Sequence, residues 1–494
     1  MASTHNSTEK DILTKLAELG GQRVTEDGIT KDGNRYQLPE STSLKDDIKF
    51  LKSYMEQQEE VTEFSKTYKF RPWDGAHALE AAMKRVFGTA GIQRSTQTMF
   101  GSNPPERRTI PVGPNETVQV PWGQVEVPIF DGVMTLSAVQ DEELGQLFHL
   151  YVQSPRKFKA QVEGLFQIIQ HELETNSIYR GKAIDGQQMP EFLDLSGIDA
   201  ERVIYSKETM EHLNANIWAP IKFDSKLREL DVPLKRAVLL EGPYGTGKTL
   251  GAFLTAQVCV AQEQPWTFVY CRPGKDDIFD VLATARLYAP AVVFYEDVDT
   301  LSEEANDPER VSKLLDAFDG ITSKTSDIMV IMTTNHKDRI LKGMLRPGRL
   351  DAMIHIGALD QQGITNMILT NVHEDLLSDT LDYTVIAEAM RVGQETEDGE
   401  SLAFLPAFVK EAITRAIRYA MVRTDGNPEK LSTEDFVLAA HGLYAQFDQM
   451  IGADESRRRP TLDTVLGQSL VKAIDGAKVT DNDRITLAVD TSEL

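Results

Sequence analysis

The stretch Gly242-Pro243-Tyr244-Gly245-Thr246-Gly247-Lys248-Thr249 satisfies G-x-x-x-x-G-K-[ST] in full, and the chemistry of that spacing is phosphate binding. Its glycines let successive backbone N–H groups turn inward around an anion, and a helix N-terminus behind the loop adds a favourable dipole. At these positions Lys248 reaches the β- and γ-phosphates of a nucleotide, and the Thr249 hydroxyl suits Mg²⁺. The flanks agree with the motif. Arg236-Ala237-Val238-Leu239-Leu240 is short, apolar and β-compatible, and Leu250 to Gln262 is apolar at helical spacing. Further along, the buried-strand run Ala291-Val292-Val293-Phe294-Tyr295 ends in Glu296-Asp297-Val298-Asp299, carboxylates placed where Mg²⁺ chemistry needs them. Another apolar strand, Asp327 to Thr333, ends in Thr334-Asn335 and is followed by Leu345-Arg346-Pro347-Gly348-Arg349-Leu350-Asp351.

Strands alternate with helices from about Arg202 to Gly357, which predicts a parallel sheet covered by helices on both faces. From Asp360 the pattern is helical: Gln361 to His373, Thr384 to Met390, Phe404 to Arg423 and Ser432 to Met450, the last opening with Ser432 and Asp435 at capping-box spacing. The fold class expected is therefore α/β, a P-loop NTPase sheet sandwiched by helices, followed by a small helical lid and preceded by an α+β N-terminal domain. The expected division is a helical or partly disordered arm over 1–66, an α+β domain over 67–197, a large nucleotide-binding domain over 198–358, the lid over 359–452 and a tail over 453–494. Within the α+β domain, Ala76 to Phe87 reads as a helix and Thr117 to Val127 as a hairpin around Trp122-Gly123. Asp141 to Gln153 and Arg156 to Leu173 read as helices.

A chain of 494 residues with net charge −24 buries substantial cores and disfavours sequence-independent binding to nucleic acid. Its apolar runs are too short for a membrane span. Met1 to Lys10 is polar, so a secretory signal is not expected and cytoplasmic residence is the default. Cys259 and Cys271 lack metal-ligand spacing and read as buried free thiols. His171-Glu172-Leu173-Glu174-Thr175 fails the zinc-helix pattern because Thr175 stands where a second histidine is required, and reads as a solvated helix face. Arg457-Arg458-Arg459 reads as a solvated charge run.

The order of these blocks resembles the AAA+ ATPases. Arg346-Pro347-Gly348-Arg349-Leu350-Asp351 is similar to the second region of homology of their classical AAA branch, and the resemblance covers about Val203 to Gln446. It implies a Walker A loop, with Leu250, as the nucleotide-binding segment, Lys248 and Thr249 as phosphate and magnesium ligands, and Glu296-Asp297 as a variant Walker B pair. It implies Asn335 as the polar group orienting the attacking water, Arg346 and Arg349 as arginine fingers acting on a neighbouring subunit's nucleotide, and adenine near Ile204 and Tyr205. The family's usual acidic order is Asp then Glu. Here it is inverted, and the roles implied are Glu296 with Thr249 on the metal and Asp297 on the water.

Where relatives that thread polypeptide carry an aromatic pore loop, this chain has only Arg272-Pro273-Gly274-Lys275-Asp276. Tyr270 before it reads as strand core, and Arg415 and Arg418 fall on the helix Phe404 to Arg423, where solvent exposure and nucleotide contact as a second sensor stand equally. The activity implied is an ATPase with ATP and Mg²⁺ as cofactors. The function implied is that of a homo-oligomer, hexameric in the family's usual form, which remodels, unfolds or disassembles a protein client selected by the N-terminal domain. Two rivals stand beside it, a nucleotide-gated scaffold with little hydrolysis and a nucleic-acid motor or loader.

Overall fold

A computed structural model describes residues 23–24, 30–32, 35–37, 44–88, 92–93, 96–98, 101–103, 106–127, 133–272, 275–299, 327–336, 350–390, 405–426 and 430–457. Arg346, Arg349 and most of the expected tail lie outside these residues. The chain divides into two compact units, Met1–Gly357 and Ala358–Leu494.

The parallel sheet of the first unit is assembled from β5 (Ala183–Asp185), β6 (Arg236–Glu241), β7 (Thr267–Cys271), β8 (Ala291–Tyr295), β9 (Ile328–Thr334) and β10 (Ala352–His355) in the order β5-β7-β8-β9-β6-β10. Every pairing is parallel. Side chains alternate across a strand, and the central strands are apolar at successive positions, so both faces must be covered. One face carries Leu239, Val269, Val293, Val330 and Met332, packed with Val281, Leu282 and Ala285 of α6 (Ile278–Leu287). The other carries Val238, Leu240, Phe268, Phe294, Met329 and Ile331, packed with Ala252, Ala256 and Cys259 of α5 (Lys248–Val260) and with Leu213, Ile217 and Trp218 from the region of α4 (Lys207–Leu213). The sandwich expected from the pattern is the one observed, and both cysteines are buried and free. The edge strand β5 was not legible, because its pairing with β7 joins positions far apart in the chain.

Ahead of this sheet stand α1 (Leu44–Glu59), β1 (Val61–Tyr68), α2 (Pro72–Phe87), β2 (Gly123–Glu126), β3 (Val133–Asp141), β4 (Gly145–Pro155) and α3 (Lys159–Thr175). An antiparallel sheet runs β1-β4-β3-β2 and ends on a short strand, Ile92–Gln93. Three sequence readings are corrected here. Asp141 to Gln153 is not a helix: β3 and β4 form a hairpin with Asp141 opposite Gly145, and Leu150 and Val152 bury alternately along it. Trp122-Gly123 does not turn a hairpin. Glu116–Pro121 pairs back with Arg107–Gly113, whereas β2 joins the larger sheet. The 171–175 segment is a solvated face only in part: Glu174 and Thr175 are exposed, but Leu173 is buried, and so is Glu172, which accepts from Arg85 Nη1 at 2.8 Å and from Asn176 Nδ2 at 2.7 Å. In the 1–66 segment, short antiparallel strands at Arg23–Val24, Thr30–Asp32 and Arg35–Gln37 precede α1.

The α+β segment and the parallel sheet share one apolar core, in which Tyr68, Leu79, Phe148 and Ile169 are continuous with Val281, Val293 and Val330. The boundary expected at 197 therefore falls inside one packed unit. Buried Arg71 fastens the two parts: its guanidinium donates to the carbonyls of Leu144 (2.8 Å) and Gln146 (3.1 Å) and to Thr284 Oγ1 of α6 (2.6 Å). Its backbone N–H donates to the Tyr288 phenol at 3.0 Å, and the Tyr288 ring meets Phe70 and Tyr179 edge-on. Asp74, one turn along, accepts from Ser177 Oγ at 2.6 Å and from Ile178 N at 2.9 Å.

The second unit comprises, among the described residues, the helices α7 (Gln361–Asn371), α8 (Tyr383–Ala389), α9 (Pro406–Arg423) and α10 (Thr433–Arg457). The capping box is realised, with Asp435 N donating to Ser432 Oγ at 3.3 Å and Ser432 N to Asp435 Oδ2 at 2.9 Å. Arg423 joins α9 to this cap through Asp435 at 2.8 Å. Arg415 is engaged within the same unit, donating to Glu411 Oε1 and Gln446 Oε1.

Burial pushes the Asp74 carboxyl up to about 6, against the hydrogen bonds from Ser177, Ile178 and Tyr288 and the charge of Arg180. The folded chain thus keeps a proton that the unfolded chain releases near pH 4, so ionisation of Asp74 lowers stability as pH rises from about 4 through about 6. Asp74→Asn is neutral throughout. Its stability relative to the parent is expected to rise by up to about 3 kcal/mol across that window and then level off. Denaturant titrations of both proteins at several pH values check this; a difference that stays flat with pH would contradict it.

Candidate nucleotide site

The strand ends of β6, β8 and β9 converge because their pairing is in step. Glu241 lies opposite Thr334, and Tyr295 opposite Met332, so the segments that follow leave the sheet side by side. Gly242 N donates to Thr334 O at 3.3 Å, which starts the glycine loop against β9. A Cβ on Gly242 would lie 2.1 Å from the Ile356 carbonyl oxygen, so only glycine permits this close passage. Gly247, with φ +96°, turns the chain into α5 through the left-handed region.

A pocket of about 380 Å³ opens here, lined by Tyr244, Gly245, Gly247, Lys248, Thr249, Leu250, Glu296, Asp297, Thr333 and Asn335. Of the residues expected at the site, it gathers the core of the loop, both carboxylates and Asn335. Tyr244 is 68% exposed at the rim, with its ring edge-on to His336. Pro243 and Thr246 shape the loop from behind, Thr246 Oγ1 donating to Pro243 O at 3.0 Å. Tyr205 sits under the loop, its buried phenol donating to Gly247 O at 2.8 Å, and Ile204 beside it is half-buried; neither lines this pocket.

Lys248 is buried, its ammonium donating to Gly242 O (2.6 Å) and Pro243 O (2.8 Å). Burial pulls its proton affinity down, while Asp297, Asp299, Glu241 and Glu296 pull it back up. Asp297 stands in the left-handed region at φ +49°, a conformation that costs a non-glycine residue roughly 1 kcal/mol or more and recurs at functional sites. Its backbone N–H donates to Thr333 Oγ1 at 3.0 Å and its Oδ1 accepts from Asn335 Nδ2 at 2.9 Å. Burial pushes the Asp297 carboxyl up, aided by the charges of Asp299 and Glu296 and opposed by Lys248 and Asn335. Asp299 accepts from Thr334 Oγ1 at 2.8 Å, so it braces the end of β9.

These groups fit a nucleotide's phosphates and a hard cation. A buried ammonium now held by neutral carbonyls has, in phosphate oxygens, partners of full charge. The Thr249 hydroxyl and the Glu296 carboxylate are oxygen donors of the kind Mg²⁺ accepts when it completes its shell with phosphate and water. Sequence reasoning missed Tyr270. It lies half-buried in β7, as a strand residue should, yet its phenol donates to Glu296 Oε2 at 2.6 Å.

Comparison with known proteins agrees with this geometry. Residues 238–358 match the model of the ATPase family associated with various cellular activities (AAA). A subunit of the mitochondrial inner membrane i-AAA protease supercomplex of Saccharomyces cerevisiae is 31% identical over 40% of this chain and 26% of its own length. A cell division cycle protein 48 homolog of Archaeoglobus fulgidus is 28% identical over 46% of this chain and 32% of its own. A proteasome-activating nucleotidase of Methanocaldococcus jannaschii is 25% identical over 50% of this chain and 57% of its own. The chain thus spans between about a quarter and somewhat over half of these relatives. With the family model beginning on β6 and ending just past β10, and the phosphate loop, acidic pair and Asn335 lining one pocket within that span, residues 238–358 carry an AAA domain similar to those of AAA+ ATPases.

Proposed function

We propose that this chain is a Mg²⁺-dependent ATPase that works as a homo-oligomeric ring and remodels or disassembles a protein partner. The observation that carries the ATPase reading is the convergence of Lys248, Thr249, Glu296, Asp297 and Asn335, from distant parts of the chain, on one pocket. Lys248 exchanges its loop carbonyls for the β- and γ-phosphates, with the backbone N–H groups of the glycine loop around them. Thr249 and Glu296 would hold the magnesium. When bound, that ion supplies charge neutralisation on the phosphate oxygens. Asp297 is the general base: burial and its like-charged neighbours raise its affinity for the proton of an attacking water, and Asn335, already bonded to it, orients both.

Arg346 and Arg349 of a neighbouring subunit are proposed to complete the site, which makes turnover depend on assembly. Head-to-tail contacts of this kind close into rings, and a hexamer is the form we propose. The relatives' names, which include a protease supercomplex subunit and a proteasome-activating nucleotidase, support a protein as client. The connection after β7 supports engagement elsewhere than through a projecting aromatic loop. Arg272 N donates to Asp276 Oδ2 at 2.8 Å, and the Arg272 guanidinium donates to buried Asp185 of the edge strand β5 at 2.9 Å, which ties Arg272 and Asp276 to that edge. The α+β segment is then the client-selecting part.

Two substitutions test the reading. Lys248→Ala is expected to abolish binding of a fluorescent ADP analogue in a titration, and retained micromolar affinity would refute the phosphate-loop assignment. Arg349→Ala is expected to leave that binding within about twofold while lowering phosphate release by on the order of 10³-fold, the usual worth of an arginine finger. Turnover unchanged from the parent would remove Arg349 from the shared site.

A further inference from the structure

The acidic pair at the end of β8 differs from its neighbours in how each carboxylate is held. Asp297 is fixed from β9, through Thr333 and Asn335. Glu296 is fixed from the opposite side, from β7. In the parallel register Tyr270 pairs with Phe294 and Cys271 with Tyr295, so the Tyr270 side chain and Glu296 are brought to the same sheet edge. The Tyr270 ring stacks on Phe294 (centroids 6.2 Å apart) and lies against Phe253 of α5 (5.9 Å). Packing on both sides confines the ring, and its phenol reaches Glu296 Oε2 at 2.6 Å, a charge-assisted bond.

We infer that Tyr270 is a positioning residue for the divalent ion of this site. Its phenol takes up the extra methylene of Glu296 and ties down Oε2, which sets where the carboxylate presents Oε1. An aspartate at 296 is shorter by one carbon–carbon bond, about 1.5 Å, and that widens the gap to the phenol beyond hydrogen-bond reach. The glutamate and the tyrosine are thus a matched pair, and they give the Glu-Asp order its own geometry: the longer carboxylate is tied from β7, while the shorter one is held from β9 at a residue in the left-handed region. This inference rests on the Mg²⁺-nucleotide reading of the pocket.

The test is a binding measurement on the full chain with Mn²⁺ as the probe ion and ADP present, read by the paramagnetic signal of free Mn²⁺. Tyr270→Phe removes the hydroxyl and keeps the ring. It is expected to weaken Mn²⁺ binding about tenfold, the worth of a hydrogen bond to a charged group, while ADP affinity in chelator and the thermal midpoint stay at the parent's values. Glu296→Asp is expected to weaken Mn²⁺ binding too, and in that background Tyr270→Phe should have no further effect. Unchanged or tighter Mn²⁺ binding in Tyr270→Phe would overturn the inference. So would an equal loss in the Glu296→Asp background, since it would mark Tyr270 as a general packing residue. If the parent binds ADP but no Mn²⁺ with it, the Mg²⁺ reading itself fails, an outcome distinct from the failure of Tyr270 alone.

Discussion

The pairing of β6 with β9 is the constraint on which the site depends. Parallel strands cannot be joined by a tight turn, so their relative register is set by packing on both faces rather than by a loop. Here the alternating apolar residues of β6, β8 and β9 are divided between two cores, and a slip of one residue would exchange the faces of an entire strand. The register that satisfies both cores places Glu241 opposite Thr334. Gly242 and Asn335 then emerge together, with the acidic end of β8 beside them, and the arrangement of the pocket follows from burial of residues such as Val238, Ile331 and Phe294 that do not line it.

Charge supplies the second layer. Lys248 is a buried cation among Glu241, Glu296, Asp297 and Asp299, each of which favours its charged form. The carboxylates are kept apart by separate partners: His355 Nδ1 is 2.9 Å from Glu241, Tyr270 meets Glu296, Asn335 meets Asp297 and Thr334 meets Asp299. Four carboxylates thus surround one ammonium, and a low-dielectric surround makes that excess of negative charge felt. In the function proposed above, a bound cation would answer the carboxylates and the phosphates of a nucleotide would answer Lys248.

Much of this was legible in the chain, for a physical reason. The phosphate loop is a local device, in which glycines, lysine and threonine act within a few residues of one another, so spacing alone carries the chemistry. The central strands were legible because a strand buried on both faces is apolar throughout, as Ala291 to Tyr295 is. Elements whose class or contacts are decided by distant pairing were not. The β4 strand was mistaken for a helix because Leu147, Phe148, Leu150 and Val152 offer apolar residues at mixed spacing, and only its pairing with β1 and β3 decides the matter. Nothing in the sequence joins Tyr270 to Glu296 or Arg71 to Thr284, since those contacts exist only once distant segments are side by side. For the same reason the sequence pattern carries no sign of the core that the α+β segment shares with the parallel sheet.

The most direct test of the central claim is steady-state phosphate release from Mg²⁺-ATP by the purified chain, followed over a range of protein concentrations together with its light-scattering mass. The account predicts turnover per subunit that is near zero when the chain is dilute, rises as it assembles, and disappears when Mg²⁺ is chelated. Nucleotide-dependent assembly with no phosphate release at any concentration would contradict it.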